Sequence, residues 1–320
     1  MSEYIITQQE AGQKYTAFIQ RKCRIPLAHI HKLIRKGTLR INGKRTQPFT
    51  RLKEGDSIFL PDSLCKSSDI SSSIHSINNA SPSSITLQEH LPTLHEDTLF
   101  LQTHIHYEDS DILVINKPSG IPVHNGTRHR RSIASIVQNV YAEASFSPTL
   151  VHRLDKDTTG VLLIAKTYTM LNHLHTAWRE HTVNKYYLAW VQGIWNEHKS
   201  MYIENSIERS KEKMIVTEGN DVAITVRCLQ RARNSSLLLI ELHTGKTHQI
   251  RAQLAYQGFP IVGDSKYSKN SKKLPLFLHA VGLYITDAMQ YLLMPSHWSG
   301  SFALRTTFPM QAKDIANVLY

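Results

Sequence analysis

The sequence predicts an α+β chain: a small, strongly basic α/β module at the N-terminus, followed by a larger domain of mixed strands and helices. Three observations predict it. From Phe100 onwards, apolar strand-like runs and amphipathic helical runs interleave without a regular βαβ repeat. No glycine-rich phosphate loop follows any of those strands, which argues against a doubly wound nucleotide-binding sheet. The charge is also uneven: residues 1–61 hold 12 Lys/Arg against 4 Asp/Glu and so carry most of the net +11 of the 320-residue chain. The expected organisation is a basic module over 1–61, a linker over 62–98 and the main domain over 99–320.

Within the module, Ile30, Leu33 and Ile34 recur at helical spacing while Lys32, Arg35 and Lys36 occupy the opposite face, and Gly37 is placed to end the helix. Thr38 to Ile41, with Arg40, alternates as a short strand, and Asn42-Gly43 is a strong hairpin turn leading into Lys44 and Arg45. Glu54-Gly55-Asp56 turns the chain into a second strand, Ser57 to Leu60. A helix with a basic face thus leads into a basic hairpin. The segment 62–98 contains ten serines and few large apolar groups, the composition of a linker.

In the larger domain, Ile112 to Ile115 is a buried-type strand that runs into the turn Lys117-Pro118-Ser119-Gly120. Ser132 to Tyr141 and Met170 to His181 read as helices, and Val161 to Lys166, Lys185 to Gln192 and Ser236 to Leu242 as strands. His248 to Gln257 is an amphipathic helix with Ile250 and Leu254 four residues apart on one face.

Composition narrows the class. An excess of 37 basic over 26 acidic side chains, with pI near 9.5, suits a polyanionic partner, of which nucleic acid is the commonest soluble one. Cys23, Cys65 and Cys228 are far apart and form no C-x-x-C pair, so neither a disulfide framework nor a cysteine zinc site is expected, and a reducing cytoplasm fits best. Met1 to Ile19 lacks the apolar core of a signal peptide, and no apolar run approaches the roughly 20 residues that span a bilayer. The 18 histidines form no H-E-x-x-H or H-x-E set beside a cysteine pair, so no metal and no cofactor is expected. With no heptad seam or long exposed apolar helix, the expected state is a monomer.

The segment richest in chemistry is His152-Arg153-Leu154-Asp155-Lys156-Asp157-Thr158-Thr159-Gly160. It places one carboxylate among cationic neighbours at the mouth of a buried strand. Nearby positive charge keeps such a carboxylate ionised and therefore nucleophilic. Taken alone, Asp155 is more commonly a capping or turn residue, and Tyr187 in an alternating strand is by default a core or surface aromatic.

Four ordered segments change that balance. His152 to Asp155, with Thr158 and Gly160, resembles the signature loop of the RluA-type pseudouridine synthases. Asn116 to His124 resembles the strand and turn before that loop, Lys185 to Gly193 the strand carrying the family's tyrosine, and Leu242 to Arg251 with Gly258 to Asp264 the last active-site segment. Thr16 to Leu60 is similar to the small alpha-L RNA-binding module.

The resemblance implies a mixed, largely antiparallel central sheet flanked by helices and loops, and the isomerisation of uridine to pseudouridine in large-subunit (23S) ribosomal RNA, with the RluC or RluD branch the nearest analogy. It places Asp155 on the catalytic aspartate, Tyr187 on the tyrosine that stacks on the target base, and Arg251 on the arginine that pairs with the carboxylate. Arg153 falls on the arginine that fills the vacated place in the RNA stack. His152, Lys246, His248 and Gln249, together with Lys32, Arg35, Lys36, Arg40, Lys44 and Arg45 of the module, are expected RNA contacts. Thr159, Lys246 and Gln253 depart from the family's usual serine, arginine and histidine. A non-catalytic RNA-binding factor on the same fold would be expected to lack one of the three central residues, and a glycosidase would need a second carboxylate, for which Asp157 is the nearest candidate.

Overall fold

The computed structural model describes residues 2–23, 25–61, 64, 94–125, 131–210, 213–268 and 274–320. Most of the serine-rich stretch, with Cys65, and the lysines Lys269, Lys272 and Lys273 lie outside the described residues.

The module is built from strands β1 (Ser2–Ile5), β2 (Arg40–Ile41) and β3 (Ser57–Leu60), in the order β1-β3-β2, and helices α1 (Tyr15–Cys23) and α2 (Leu27–Lys36). Its core is Ile6, Tyr15, Phe18, Ile19, Ile30, Ile34, Leu39, Leu52, Ile58 and Leu60. The glycine stop works as expected. Gly37 adopts φ 73° and donates its N–H to Ile34 O, and Thr38 donates to Leu33 O, satisfying carbonyls that the helix end leaves unpaired. Asn42 and Gly43 are both left-handed, at φ 50° and 72°, as the two-residue turn requires. The hairpin itself differs from expectation. Beyond the Ile41–Lys44 bridge no second strand follows, and β2 pairs instead with β3, Arg40 opposite Phe59. Pro48 shortly after the turn lacks the N–H that a continuing ladder would need.

The main domain is a ten-stranded sheet in the order β4-β5-β7-β12-β8-β11-β10-β9, with β6 added to β7 and β13 to β12. The strands are β4 (Ile105–Glu108), β5 (Ile112–Lys117), β6 (Thr149–Leu150), β7 (Thr159–Ala165), β8 (Asn184–Gln192), β9 (Met201–Arg209), β10 (Met214–Ala232), β11 (Ser235–Leu242), β12 (Leu278–Thr286) and β13 (Met289–Leu292). The helices are α3 (Leu94–His104), α4 (Ile133–Val140), α5 (Tyr168–Arg179), α6 (Gln249–Tyr256) and α7 (Ile315–Leu319). Continuous apolar runs mark strands buried on both faces. Leu113, Ile115, Leu162 and Ile164 point to one core, and Ile112, Val114, Val161 and Leu163 to the other.

The α+β expectation holds, with two differences in detail. Helix α3 begins at Leu94, inside the segment read as linker. Polar side chains disguised it: Asp97 is buried because it accepts from Arg131 and Asn139, and Leu101 packs in the core. The β9–β10 ribbon was not anticipated, because its Thr217-Glu218-Gly219-Asn220-Asp221 stretch has the composition of a loop.

Among the described residues only β7 and β12 pair in parallel, at His279–Thr159 and Ala280–Gly160. Gly160 stands at φ +111°, and a Cβ there would come within 2.2 Å of the Ala280 carbonyl oxygen. The backbones can therefore meet only at glycine, where the Asp155 loop enters the sheet. Gly160→Ala should lower unfolding stability by about 2–4 kcal/mol, read by denaturant titration, whereas alanine at exposed Gly43 should cost less.

Candidate active site

The loop carrying Asp155 is held from beneath by a buried lysine. Lys117, at the end of β5, donates from Nζ to the carbonyls of Pro118 (2.9 Å), Lys156 (2.7 Å) and Thr158 (2.9 Å). Burial pushes the Lys117 ammonium down to about 7, while the charges of Asp157 and Asp155 oppose that shift. Thr158 N–H closes a turn on Asp155 O at 3.1 Å, and Gly120 N–H donates to Lys156 O. Thr159, the departure from serine, shares a 2.7 Å hydrogen bond with buried His279.

Asp155 projects from this loop toward helix α6. Arg251 Nη1 donates to Asp155 Oδ2 at 3.2 Å, and its other two nitrogens clasp Asp264, Nε to Oδ2 at 2.8 Å and Nη2 to Oδ1 at 3.0 Å. Asp264 is fully buried and also accepts the backbone N–H groups of Lys266 and Tyr267. The arginine is thus held in a two-pronged geometry that lysine cannot reproduce. Burial works against its charge, but the bonds and charges of Asp264 and Asp155 outweigh it, and the Arg251 pKa is raised.

His248 adds a third group. It starts α6 in a left-handed conformation, with Nε2 3.7 Å from Asp155 Oδ2 and Nδ1 3.2 Å from the Tyr267 hydroxyl. Burial lowers its pKa against the pull of Asp155, so the ring is neutral at pH 7.

Tyr187, on β8, faces the same open cleft, which is also lined by Arg153, Leu154, Thr158, Leu242, Gly245, Lys246, Thr247, Ile250 and Leu278. Burial, and then the charge of Asp155, raise the pKa of the Tyr187 phenol. It is a neutral hydroxyl on a flat ring at the floor of a cleft whose rim is cationic. Arg153 and Lys246 are exposed at that rim.

Two residues expected to contact RNA make hydrogen bonds within the protein. His152 Nε2 accepts the Leu163 N–H at 3.0 Å, and its ring stacks on Trp178 at 5.1 Å. Burial drops its pKa to about 3, so it is an uncharged anchor for the loop. Gln249 is buried: its Nε2 donates to Ala223 O and Gln253 Oε1, and its Oε1 accepts from Thr244 and the Lys246 N–H. Gln253, where histidine is usual, continues this ladder to Asn205 and Ile203 O, fastening α6 to β9. In the module, Lys32, Arg35, Lys36, Lys44 and Arg45 are exposed. Arg40 is exposed too, but it bonds the carbonyls of Gly37 and Gly43. Sequence reasoning assigned no role to Lys117, Asp264 or Tyr267. Lys117 and Asp264 sat inside quoted motifs, yet only burial reveals what they hold.

Residues 111–256 match the family model described as RNA pseudouridylate synthase. The chain is 33% identical over 291 residues to the ribosomal large subunit pseudouridine synthase C of Haemophilus ducreyi (87% of this chain, 85% of the relative). It is also 33% identical over 297 residues to the protein of the same name from Escherichia coli K12 (88% and 87%). Solved structures share the fold. Human RNA pseudouridylate synthase domain containing 1 superposes with a TM-score of 0.55 at 22% identity, over 68% of this chain and 94% of that one. Domain containing 4 gives 0.53 at 23%, over 63% and 92%. The chain belongs to the RluA-type pseudouridine synthase family and is an RNA pseudouridine synthase. Among the described residues no helix is long and apolar enough to cross a membrane, and no group of three or more His, Cys, Asp or Glu is placed to hold a metal ion.

Two measurements test this architecture. Asp264→Asn removes the charge that fixes the Arg251 fork. It should lower kcat about 100-fold or more while RNA affinity stays within about threefold, read by tritium release from carbon 5 of labelled uridine. For Lys117, the folded state releases its proton near pH 7 and the unfolded chain holds it to about 10.4. The unfolded state therefore binds more protons in that window, and stability from this group rises with pH. The stability difference between the parent protein and Lys117→Met should accordingly move in the parent's favour between pH 7 and 10. A difference independent of pH would refute the shift.

Proposed function

We propose that the protein isomerises uridines of large-subunit ribosomal RNA, with Asp155 as the catalytic carboxylate, Tyr187 as the stacking platform and Arg251 as the pairing cation. The observation that carries this reading is the placement of Asp155, bridged by Arg251 and facing Tyr187 in one cleft. The relatives' names supply the ribosomal substrate.

In the reaction the N1–C1′ bond breaks, the uracil turns within the pocket, a C5–C1′ bond forms, carbon 5 gives up its proton and N1 takes one up. No electrons are exchanged and no group donor is consumed. An ionised carboxylate at Asp155 either attacks C1′ or assists removal of a sugar proton. Arg251 keeps it aimed, since its guanidinium donates to the carboxylate and its own freedom is spent on Asp264. Tyr187 offers its face to the detached base. Because its hydroxyl stays protonated, it acts as a hydrogen-bond donor rather than as a resting-state base. A glycosidase-like reading finds less support: the second buried carboxylate, Asp264, is saturated by Arg251 and two backbone N–H groups and is not free to serve as acid or base.

The target base must leave its stack, at a cost of a few kcal/mol in a duplex and less in a loop. Contacts to phosphates from Arg153 and Lys246 at the rim, and from Lys32, Arg35, Lys36, Lys44 and Arg45 on the module, would offset that cost. The module over 1–61 is the docking part and the domain from α3 onwards the catalytic part. We assign the protein to the cytoplasm as a monomer.

Pseudouridine mapping of large-subunit rRNA, with and without the protein and after rescue by Asp155→Asn, tests this. Specific sites should vanish without the protein and return only with the unmutated form. The purified variant should lose at least about 1000-fold in turnover and bind RNA within about threefold of the parent. Restoration by Asp155→Asn would remove Asp155 from catalysis.

A further inference from the structure

The module rests directly on the catalytic domain, and the seam contains an arginine that, among the described residues, forms no ion pair. Tyr168 N–H donates to Gln9 O at 3.0 Å, and Ser145 Oγ donates to Gln9 Oε1 at 2.8 Å. Beside these bonds, Arg21 of α1 lays its guanidinium over the rings of Phe146 (4.9 Å) and Tyr168 (5.7 Å). Among the described residues it has no ion-pair partner, and its Nη2 is buried without a hydrogen bond. Glu10, the carboxylate that feels it, is occupied by Thr7 and Lys22. Burial lowers the Arg21 pKa without discharging it, since an arginine stays protonated in proteins.

Arg21 lines a crevice of about 1040 Å³ between the module and the catalytic domain, with Gln20, His124, Asn125 and Thr149 among its walls. His124 and Asn125 also line a second groove, which contains Arg153, Asp155, Lys156 and Lys266. His124 and Asn125 line both spaces, so the module seam and the groove that holds Asp155 are neighbours. Among the described residues, Arg153, Lys156 and Lys266 line the groove of Asp155 and Arg21 lines the seam. Burial and Arg153 lower the His124 pKa, so the junction itself is neutral.

We propose that this seam is a phosphate-binding subsite for the RNA strand flanking the target uridine, with Arg21 as its cation. It rests on the RNA-modifying reading above and deepens it. A planar guanidinium held flat by two rings is preorganised for an oxyanion, and it loses little rotamer freedom when one arrives. A half-buried guanidinium with one unsatisfied nitrogen is costly by itself, and a phosphate is the partner that an RNA substrate brings. The subsite also gives the module a second role. By supplying one wall, the module couples docking on structured RNA to the position of the strand entering the cleft.

Arg21→Met keeps a long apolar stem against Phe146 and Tyr168 while removing the charge. We expect RNA affinity measured against salt to fall about 5–30-fold, the slope of log K on log salt to shrink by about 0.7–0.9, one phosphate contact, and kcat at saturating RNA to stay within twofold. Unchanged affinity and slope overturn the proposal. A loss of several units of slope, equal to that of the chain lacking residues 1–61, also overturns it, because Arg21 would then only hold the module in place. A photo-crosslinker at exposed Gln20 should capture the RNA within a few nucleotides of the modified uridine, and one at exposed Met310 should not. Failure at Gln20 while the protein still forms pseudouridine sinks the subsite and leaves the enzymatic reading intact.

Discussion

The two-sided grip of Arg251 is the interaction on which the site depends. One guanidinium bonds Asp264 through two nitrogens and Asp155 through the third. Two carboxylates close together would repel and raise one another's pKa, and a buried arginine alone would be expensive to desolvate. The triad resolves both problems, and the backbone N–H groups of Lys266 and Tyr267 finish Asp264. What remains is one carboxylate, Asp155, oriented by Arg251 but still partly open to the cleft.

That grip is useful only if the Asp155 loop cannot drift, and the loop is fixed by devices of a different kind. Lys117 gathers three carbonyls of the strand end and the loop, His152 takes a strand N–H, and Gly160 lets β7 approach β12 closely. On the opposite wall, the ladder from Gln249 through Gln253 to Asn205 pins α6 to β9. The lysine, histidine and glutamine bonds are satisfied, and the glycine contact is possible, only in this one arrangement, so together they select a single geometry for the carboxylate. The chemistry needs little beyond that geometry, because the reaction exchanges one glycosidic bond for another.

The basic module contributes in another register. Its charges are exposed and its core is separate, so the field it sets up is long-range and salt-sensitive. Its seat against Phe146 and Tyr168 nevertheless fixes where those charges lie relative to the cleft.

By itself the sequence determined the class of fold, the module's helix and its glycine stop, most of the central strands, and the family. These are local or ordered features: period-2 and period-3.6 patterns, turn dipeptides, and motifs in a fixed order. It also put Asp155, Tyr187 and Arg251 on the three positions that meet in the cleft. Tertiary structure alone decided which polar residues face inward. His152 and Gln249 looked like RNA contacts because both stand in the cleft's motifs, yet each is used up by backbone and side-chain partners distant in sequence. Lys117, Asp264 and Arg21 drew no assignment, because a buried charge is written like an exposed one. What distinguishes them is the company brought by long-range packing: three carbonyls for Lys117, a guanidinium for Asp264, and two rings of another domain for Arg21.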